Sequence, residues 1–100
     1  MSNYKRDEFV KNLHQRIEDI NQRIDEFEAQ AEDAEAQAQK EYEEQVAILR
    51  QKRDEFRKKA DELEYASGEA WESLQDGVNS AWQELSAALS DARASFKEVA

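Results

Sequence analysis

The sequence predicts an all-α protein, and three observations lead to that prediction. Apolar residues repeat with a helical period, helix-forming residues dominate, and turn residues are nearly absent, with no Pro and only two Gly in 100 residues. Strands need turns that this composition cannot supply, whereas an Ala-, Glu-, Lys- and Leu-rich chain with a 3.5-residue period is typical of long helices. We expect a long coiled-coil helix and a shorter C-terminal amphipathic helix, folded as an antiparallel hairpin within an oligomeric bundle.

The long helix is organised around an apolar seam between Val10 and Ala38. Apolar residues recur there at alternating spacings of 3 and 4, which is the heptad pattern of a coiled coil. Such a seam must be covered by another helix, and the C-terminal helix is too short to cover all of it. We therefore expect a homo-oligomer joined through the larger seam residues, which are Val10, Leu13, Ile17, Ile20, Ile24 and Phe27.

The two helices are expected to form one domain. Residues 1–66 form the long coiled-coil helix in this prediction, because nothing before Ser67–Gly68 interrupts a helix. Gly68 suits the left-handed conformation that often ends a helix. Residues 67–100 then pack back on the second half of the long helix and leave residues 4–35 uncovered. The competing arrangement is one uninterrupted helix.

The seam contains three irregularities. Residues 29–38 are rich in Ala, which allows a close helix approach or leaves room for a bulky residue such as Phe96. Tyr42 follows Ala38 by four residues, and this stutter locally unwinds a supercoil. Arg53 occupies a core-type position, where we expect its guanidinium to reach solvent or to meet a carboxylate on a partner.

The last third of the chain has an 11-residue repeat, in which Ala70-Trp71 and Leu74 recur as Ala81-Trp82 and Leu85. The repeat places a broad apolar face on one helix. This face is interpreted first as bundle core, second as a surface for a partner protein, and third as a lipid-surface helix. Its residues are Trp71, Leu74, Val78, Trp82, Leu85, Leu89 and Phe96.

The negative charge of the chain argues against two classes of partner. The net charge is −10, and no segment of the chain is net basic, so nucleic acid is not an expected partner and membrane binding is disfavoured. The N-terminus lacks the apolar core of a secretory signal, and no run of residues is apolar enough to span a bilayer. We therefore expect a cytoplasmic protein.

No motif indicates catalysis, a cofactor or a metal. The only histidine, His14, is followed one turn later by Glu18, but two ligands do not make a metal site, so we expect His14 to face solvent. Acid–base catalysis needs a pocket that shifts carboxylate pKa values, which an extended rod does not offer. The basic residues between Arg50 and Lys59 are expected to be solvated or to dock on the acidic 28–44 region of another chain.

Three segments resemble a group of small bacterial coiled-coil proteins linked to stress response. They are Tyr42-Glu43-Glu44-Gln45-Val46 with the following Leu49–Asp54, then Ala66-Ser67-Gly68-Glu69-Ala70-Trp71-Glu72-Ser73-Leu74, and Ala81-Trp82-Gln83-Glu84-Leu85. The resemblance implies a bacterial, cytoplasmic protein and supplies no catalytic residues. We accordingly expect a structural or interaction protein that forms a homo-oligomeric helical assembly with a stress-related role. The alternatives are lipid-surface binding through residues 69–98 and an adaptor that binds a larger protein through Trp71 and Trp82.

Overall fold

The chain folds into three helices. A computed structural model describes the backbone of residues 2–99 and the side-chain surroundings of residues 5–95. Within that part of the chain, α1 spans Ser2–Asp33, α2 spans Ala36–Glu64 and α3 spans Trp71–Val99, and there is no strand. The all-α prediction is therefore confirmed. The helices form an elongated bundle of 53 × 18 × 16 Å.

The prediction of one helix over residues 1–66 is wrong, because the chain turns at Ala34–Glu35. Glu35 is extended, with φ −65° and ψ 158°, and its side chain makes no capping hydrogen bond. The Ala-rich stretch is thus a tight reversal between α1 and α2. Turning here breaks a few helical hydrogen bonds at small side chains, and in return two apolar seams cover each other.

α1 and α2 are antiparallel. Near one end of the bundle His14 Nε2 lies 3.5 Å from Glu64 Oε2, and further along Arg53 Nη1 donates to Asn21 Oδ1 at 3.1 Å. The expectation that residues 4–35 remain uncovered is therefore wrong. The seam of α1 is instead buried within the chain, through Leu13, Ile17, Ile20, Ile24, Phe27 and Ala31.

α3 packs on α2 beside α1, and it is also antiparallel to α2. The ring centroids of Phe56 and Trp82 are 5.3 Å apart, and Lys52 Nζ lies 3.6 Å from Glu84 Oε2. α1 and α3 consequently run in the same direction. Among the described residues no Cα of α1 comes within 8 Å of a Cα of α3, so these two helices meet only through side chains.

The core lies where α2 faces α1 and α3. Leu49, Phe56 and Leu63 of α2 are fully buried. Up to residue 95, α3 contributes two larger and two small buried side chains, and the small ones let its backbone approach α2 closely. These four buried residues are Val78, Ala81, Leu85 and Ala92.

The connection between α2 and α3 does not use a left-handed glycine. No described glycine has a positive φ, so the predicted conformation of Gly68 is wrong. The end of α2 is closed instead by a hydrogen bond from Ala66 N to Leu63 O at 3.1 Å. The Arg6 side chain adds a second closure by donating to Ala66 O at 2.6 Å. The first bond satisfies a carbonyl that the end of α2 leaves without a helical partner, and the second satisfies a carbonyl of the connection, so no left-handed residue is required.

Gly77 is a site where the chain can be stabilised. It lies inside α3, where Gly is about 1 kcal/mol less favourable than Ala. A Cβ built there meets only Lys59 Cδ, at an ordinary 3.9 Å. We expect Gly77→Ala to raise the free energy of unfolding by about 0.5–1 kcal/mol, measured by urea denaturation. Gly68 lies outside the helices and has open space around it, so Gly68→Ala is the control and should have a smaller effect. A Gly77→Ala variant that is less stable than the wild type would contradict this packing.

Candidate functional site

Trp71, the first residue of α3, is held between two side chains of α1. The Arg6 guanidinium carbon lies 4.3 Å from the centre of the Trp71 ring. The Phe9 ring approaches edge-on, with centroids 5.9 Å apart and planes at 72°. A cation over an aromatic face and an edge-to-face aromatic pair are both favourable contacts. Together they tie the start of α1 to the start of α3.

Trp82, three turns along α3, is held in a similar way. The Arg16 guanidinium carbon lies 4.8 Å from its ring centre, and Phe56 of α2 packs beneath it at 5.3 Å with a 49° tilt. Both tryptophans remain partly accessible to solvent. The 11-residue repeat of α3 therefore appears in the structure as two successive arginine–tryptophan–phenylalanine stacks.

These stacks define one surface of the bundle, which we call the α1/α3 face. Phe9, Arg16 and Arg23 are seven residues apart and so share one side of α1. Phe9 and Arg16 both contact α3, and Arg23 is half-buried on the same side. The α1/α3 face comprises Lys5, Arg6, Phe9, Arg16 and Arg23 of α1 with Trp71, Gln75 and Trp82 of α3.

Two adjoining cavities lie at the Trp71 end of the bundle. One, of about 560 Å³, opens on the α1/α3 face and is lined by Lys5, Arg6, Phe9, Gly68, Trp71 and Gln75. The other, of about 500 Å³, lies towards α2 and is lined by Arg6, Asp7, Val10, Lys11, His14, Glu64 and Trp71. The first combines two cationic side chains with two aromatic rings and includes no carboxylate. The second carries charges of both signs.

The opposite end of the bundle is acidic. Between Asp25 and Glu44 the sequence has nine acidic residues and one basic residue, Lys40. This stretch contains the α1–α2 turn. The protein is therefore electrically asymmetric along its 53 Å length, with most of the cations of α1 near the Trp71 end.

Two residues of the basic cluster of α2 approach carboxylates on other helices of the same chain. Arg50 forms an ion pair with Glu28 of α1, and Lys52 approaches Glu84 of α3. The basic cluster was expected to dock on the acidic 28–44 region of another chain. Glu28 belongs to that region, and its contact with Arg50 occurs within one chain. Exposed pairs of this kind contribute about 0–1 kcal/mol each, so the register of the helices is set mainly by the buried seams.

Arg53 resolves the irregularity at its core-type position without reaching a partner chain. Its Nη1 donates to Asn21 Oδ1 of α1. Its Nε and Nη2 donate to Asp54 Oδ1 at 3.1 Å and 2.9 Å. The aliphatic stem thus lies along the core edge while the guanidinium stays at the surface.

His14 faces solvent, as the sequence predicted, with a side chain that is 52% exposed. No group of three His, Cys, Asp or Glu side chains is positioned to hold a metal ion within the described residues. In the same part of the chain, no helix is both long enough and apolar enough to cross a bilayer.

The predicted site residues fall into two classes. The predicted oligomer seam is buried inside the chain from Leu13 to Phe27, with Val10 half-buried. Of the predicted α3 face, Val78 and Leu85 are fully buried. The half-buried members of that face are Trp71, Leu74, Trp82 and Leu89, while the side chain of Phe96 lies outside the described residues.

Sequence reasoning missed Arg6, Phe9 and Arg16. The signal for Phe9 and Arg16 was their seven-residue spacing with Arg23 beside the seam, and Arg6 is not part of that series. That spacing marks a second stripe on α1, but it does not reveal that the stripe meets tryptophans more than 60 residues later in the chain.

Comparison of the chain with protein-family models, curated proteins and solved structures finds no significant match.

Proposed function

We propose that this chain is a non-enzymatic interaction protein that binds a partner protein through the α1/α3 face. One observation carries the proposal: two tryptophans stay partly accessible on the same face, each covered by an arginine. Tryptophan and arginine are the residues most enriched among those that dominate the affinity of protein interfaces. A tryptophan supplies a large contact area and loses little side-chain entropy when it becomes buried.

The architecture supports this assignment. α2 is covered by both α1 and α3, so its seam has no need of another chain, whereas α1 and α3 are bridged only by side chains. The resulting groove runs along the bundle axis. A partner helix laid in it would complete a four-helix arrangement, which is a common way to cover an apolar stripe.

Formation of a homo-oligomer remains a second proposal, but the seam of α1 that was expected to join the copies is no longer free to do so. Ile17, Ile20 and Ile24 are buried in one chain, so self-association would have to use a different surface of the bundle. Light scattering tests it against a monomer mass of 11.6 kDa.

Lipid-surface binding through residues 69–98 is a third proposal. It would require α3 to leave α2, because Val78 and Leu85 are fully buried between the helices. Vesicle flotation tests it. A stress-related role is what the sequence resemblance alone implies.

Site-specific photo-crosslinking in the source cells tests the main proposal. A photoreactive residue at Gln75, which lines the cavity beside Trp71, should give an adduct with another protein. The same residue at Lys58, which is exposed on α2, is the matched control and should give none. The Gln75 adduct should be lost in an Arg16→Glu background.

Equal adducts at both positions would contradict the proposal. Adducts formed only between copies of this chain would favour self-assembly instead.

A further inference from the structure

We infer that the α1/α3 face takes an acidic amphipathic helix, which places an apolar side chain in the 560 Å³ cavity and carboxylates beside the arginines. The inference rests on the proposed function and specifies the partner class. It is carried by the combination of charge, cavity and groove, none of which would identify a partner by itself.

The α1/α3 face is positively charged, although the chain as a whole is acidic. The chain has 24 acidic and 14 basic residues, yet the cavity of the α1/α3 face is lined by Lys5 and Arg6 and by no carboxylate. Arg16 and Arg23 continue the cations along α1. Asp19 is the acidic residue one turn before Arg23, on the edge of this stripe. In a chain with a net charge of −10, this cationic stripe selects acidic side chains by charge complementarity.

The cavity on the α1/α3 face can accept an apolar side chain of the partner. Phe9 and Trp71 form apolar walls, and Gln75 is half-buried beside them. A buried anchor surrounded by polar contacts is the usual arrangement of a high-affinity contact centre. A Leu or Phe of the partner fits such walls, whereas a fully polar ligand would leave them without contacts.

The groove between α1 and α3 determines the shape of the partner. Lys5, Arg16 and Arg23 extend over five turns of α1. A straight helix can present carboxylates at that spacing while its apolar stripe lies between α1 and α3, as helix-in-groove recognition requires.

Charge also argues against a second copy on this face. A two-fold dimer would bring the same patch of each copy together. The cations of one patch, Arg16 and Arg23 among them, would then face the cations of the other, and like charges disfavour that pairing. A two-fold dimer through this face is therefore disfavoured, and we assign the acidic helix to a different protein.

The two tryptophans provide a direct test, because both lie on the α1/α3 face and the chain has no others. The probe is a synthetic, tryptophan-free peptide of three heptads, about 21 residues, with Leu at the a and d positions and Glu flanking them. Titrated into the full chain, it should change tryptophan emission with saturation at one peptide per chain. The matched peptide with Lys in place of Glu should not bind.

Two charge reversals identify the face. Lys5→Glu, at an exposed residue whose change leaves the core intact, should weaken binding of the acidic peptide about tenfold, which equals about 1.4 kcal/mol. Arg16→Glu should weaken it by at least as much. Lys58→Glu makes the same charge change on the exposed side of α2 and should leave the affinity unchanged.

Three outcomes would overturn the inference. They are tighter binding of the Lys peptide, equal weakening by Lys58→Glu, and binding of anionic lipid vesicles or RNA with the same dependence on Lys5 and Arg16. If any of these outcomes is found together with a protein adduct at Gln75, the acidic helix is rejected as the partner, but the α1/α3 face is still supported as a protein-binding surface. Absence of both peptide binding and the adduct would reject the proposed function as well.

Discussion

Replacing Ile17 and Ile24 together with Asp is expected to unfold the chain. Their side chains are 7% and 1% exposed, within the interface between α1 and α2. Burying a carboxylate in apolar surroundings costs several kcal/mol, and a domain of this size is stable by only about 5–15 kcal/mol. Circular dichroism should therefore show loss of helix at every protein concentration.

The control places the same charges on the outside of the same helix. Gln15 and Gln22 are exposed and also seven residues apart, so Gln15→Asp with Gln22→Asp should keep the wild-type melting curve. A seam between chains would behave differently from a seam within one. In that case Ile17→Asp with Ile24→Asp would lower the mass in solution and leave folded helical subunits, which would contradict the intrachain packing.

Phe56→Ala is expected to lower the free energy of unfolding by about 3–5 kcal/mol, the usual cost of removing a buried Phe ring. Phe56 is 0% exposed and supports the Trp82 ring at 5.3 Å. Its loss leaves a cavity at the centre of the bundle. Tryptophan emission should shift as Trp82 loses its support, and urea denaturation measures the change in stability.

Ile48→Ala is the comparison for Phe56→Ala. It lies on the same helix, but 43% of it is exposed, so its loss should cost less than about 1 kcal/mol. Similar costs for the two substitutions would mean that Phe56 is not in the core.

The helical character of the chain was predictable because it depends on local properties. A heptad seam and an absence of Pro specify helix wherever the seam is eventually covered. The residues of α3 that carry the broad apolar face were recognisable for the same reason. Val78 and Leu85 have the burial that their spacing implies.

The turn at Ala34–Glu35 was not predictable from local chemistry. It contains neither Gly nor Pro, and Glu35 provides no side-chain cap. A heptad pattern specifies that a helix must cover the seam, but the pattern is the same whether that helix belongs to the same chain or to another. Only the gain from packing α1 on α2 decides the matter, and that gain is a tertiary effect.

The arginine–tryptophan stacks were hidden for a related reason. Arg6 and Trp71 are separated by most of the chain, and their pairing follows from two successive reversals of direction. Without the first reversal, Arg6 would lie far from α3. The missed turn therefore also concealed the candidate site.

The central claim, that α1 folds back on α2 within one chain, is tested most directly by a distance between residues 14 and 64. The chain has no Cys, so His14→Cys with Glu64→Cys gives two unique positions for spin labels. We expect a separation below about 20 Å, the width of two helices, in doubly labelled chains diluted with unlabelled protein. A continuous helix would separate these positions by about 75 Å, and a distance of that size would contradict the fold and the candidate site built on it.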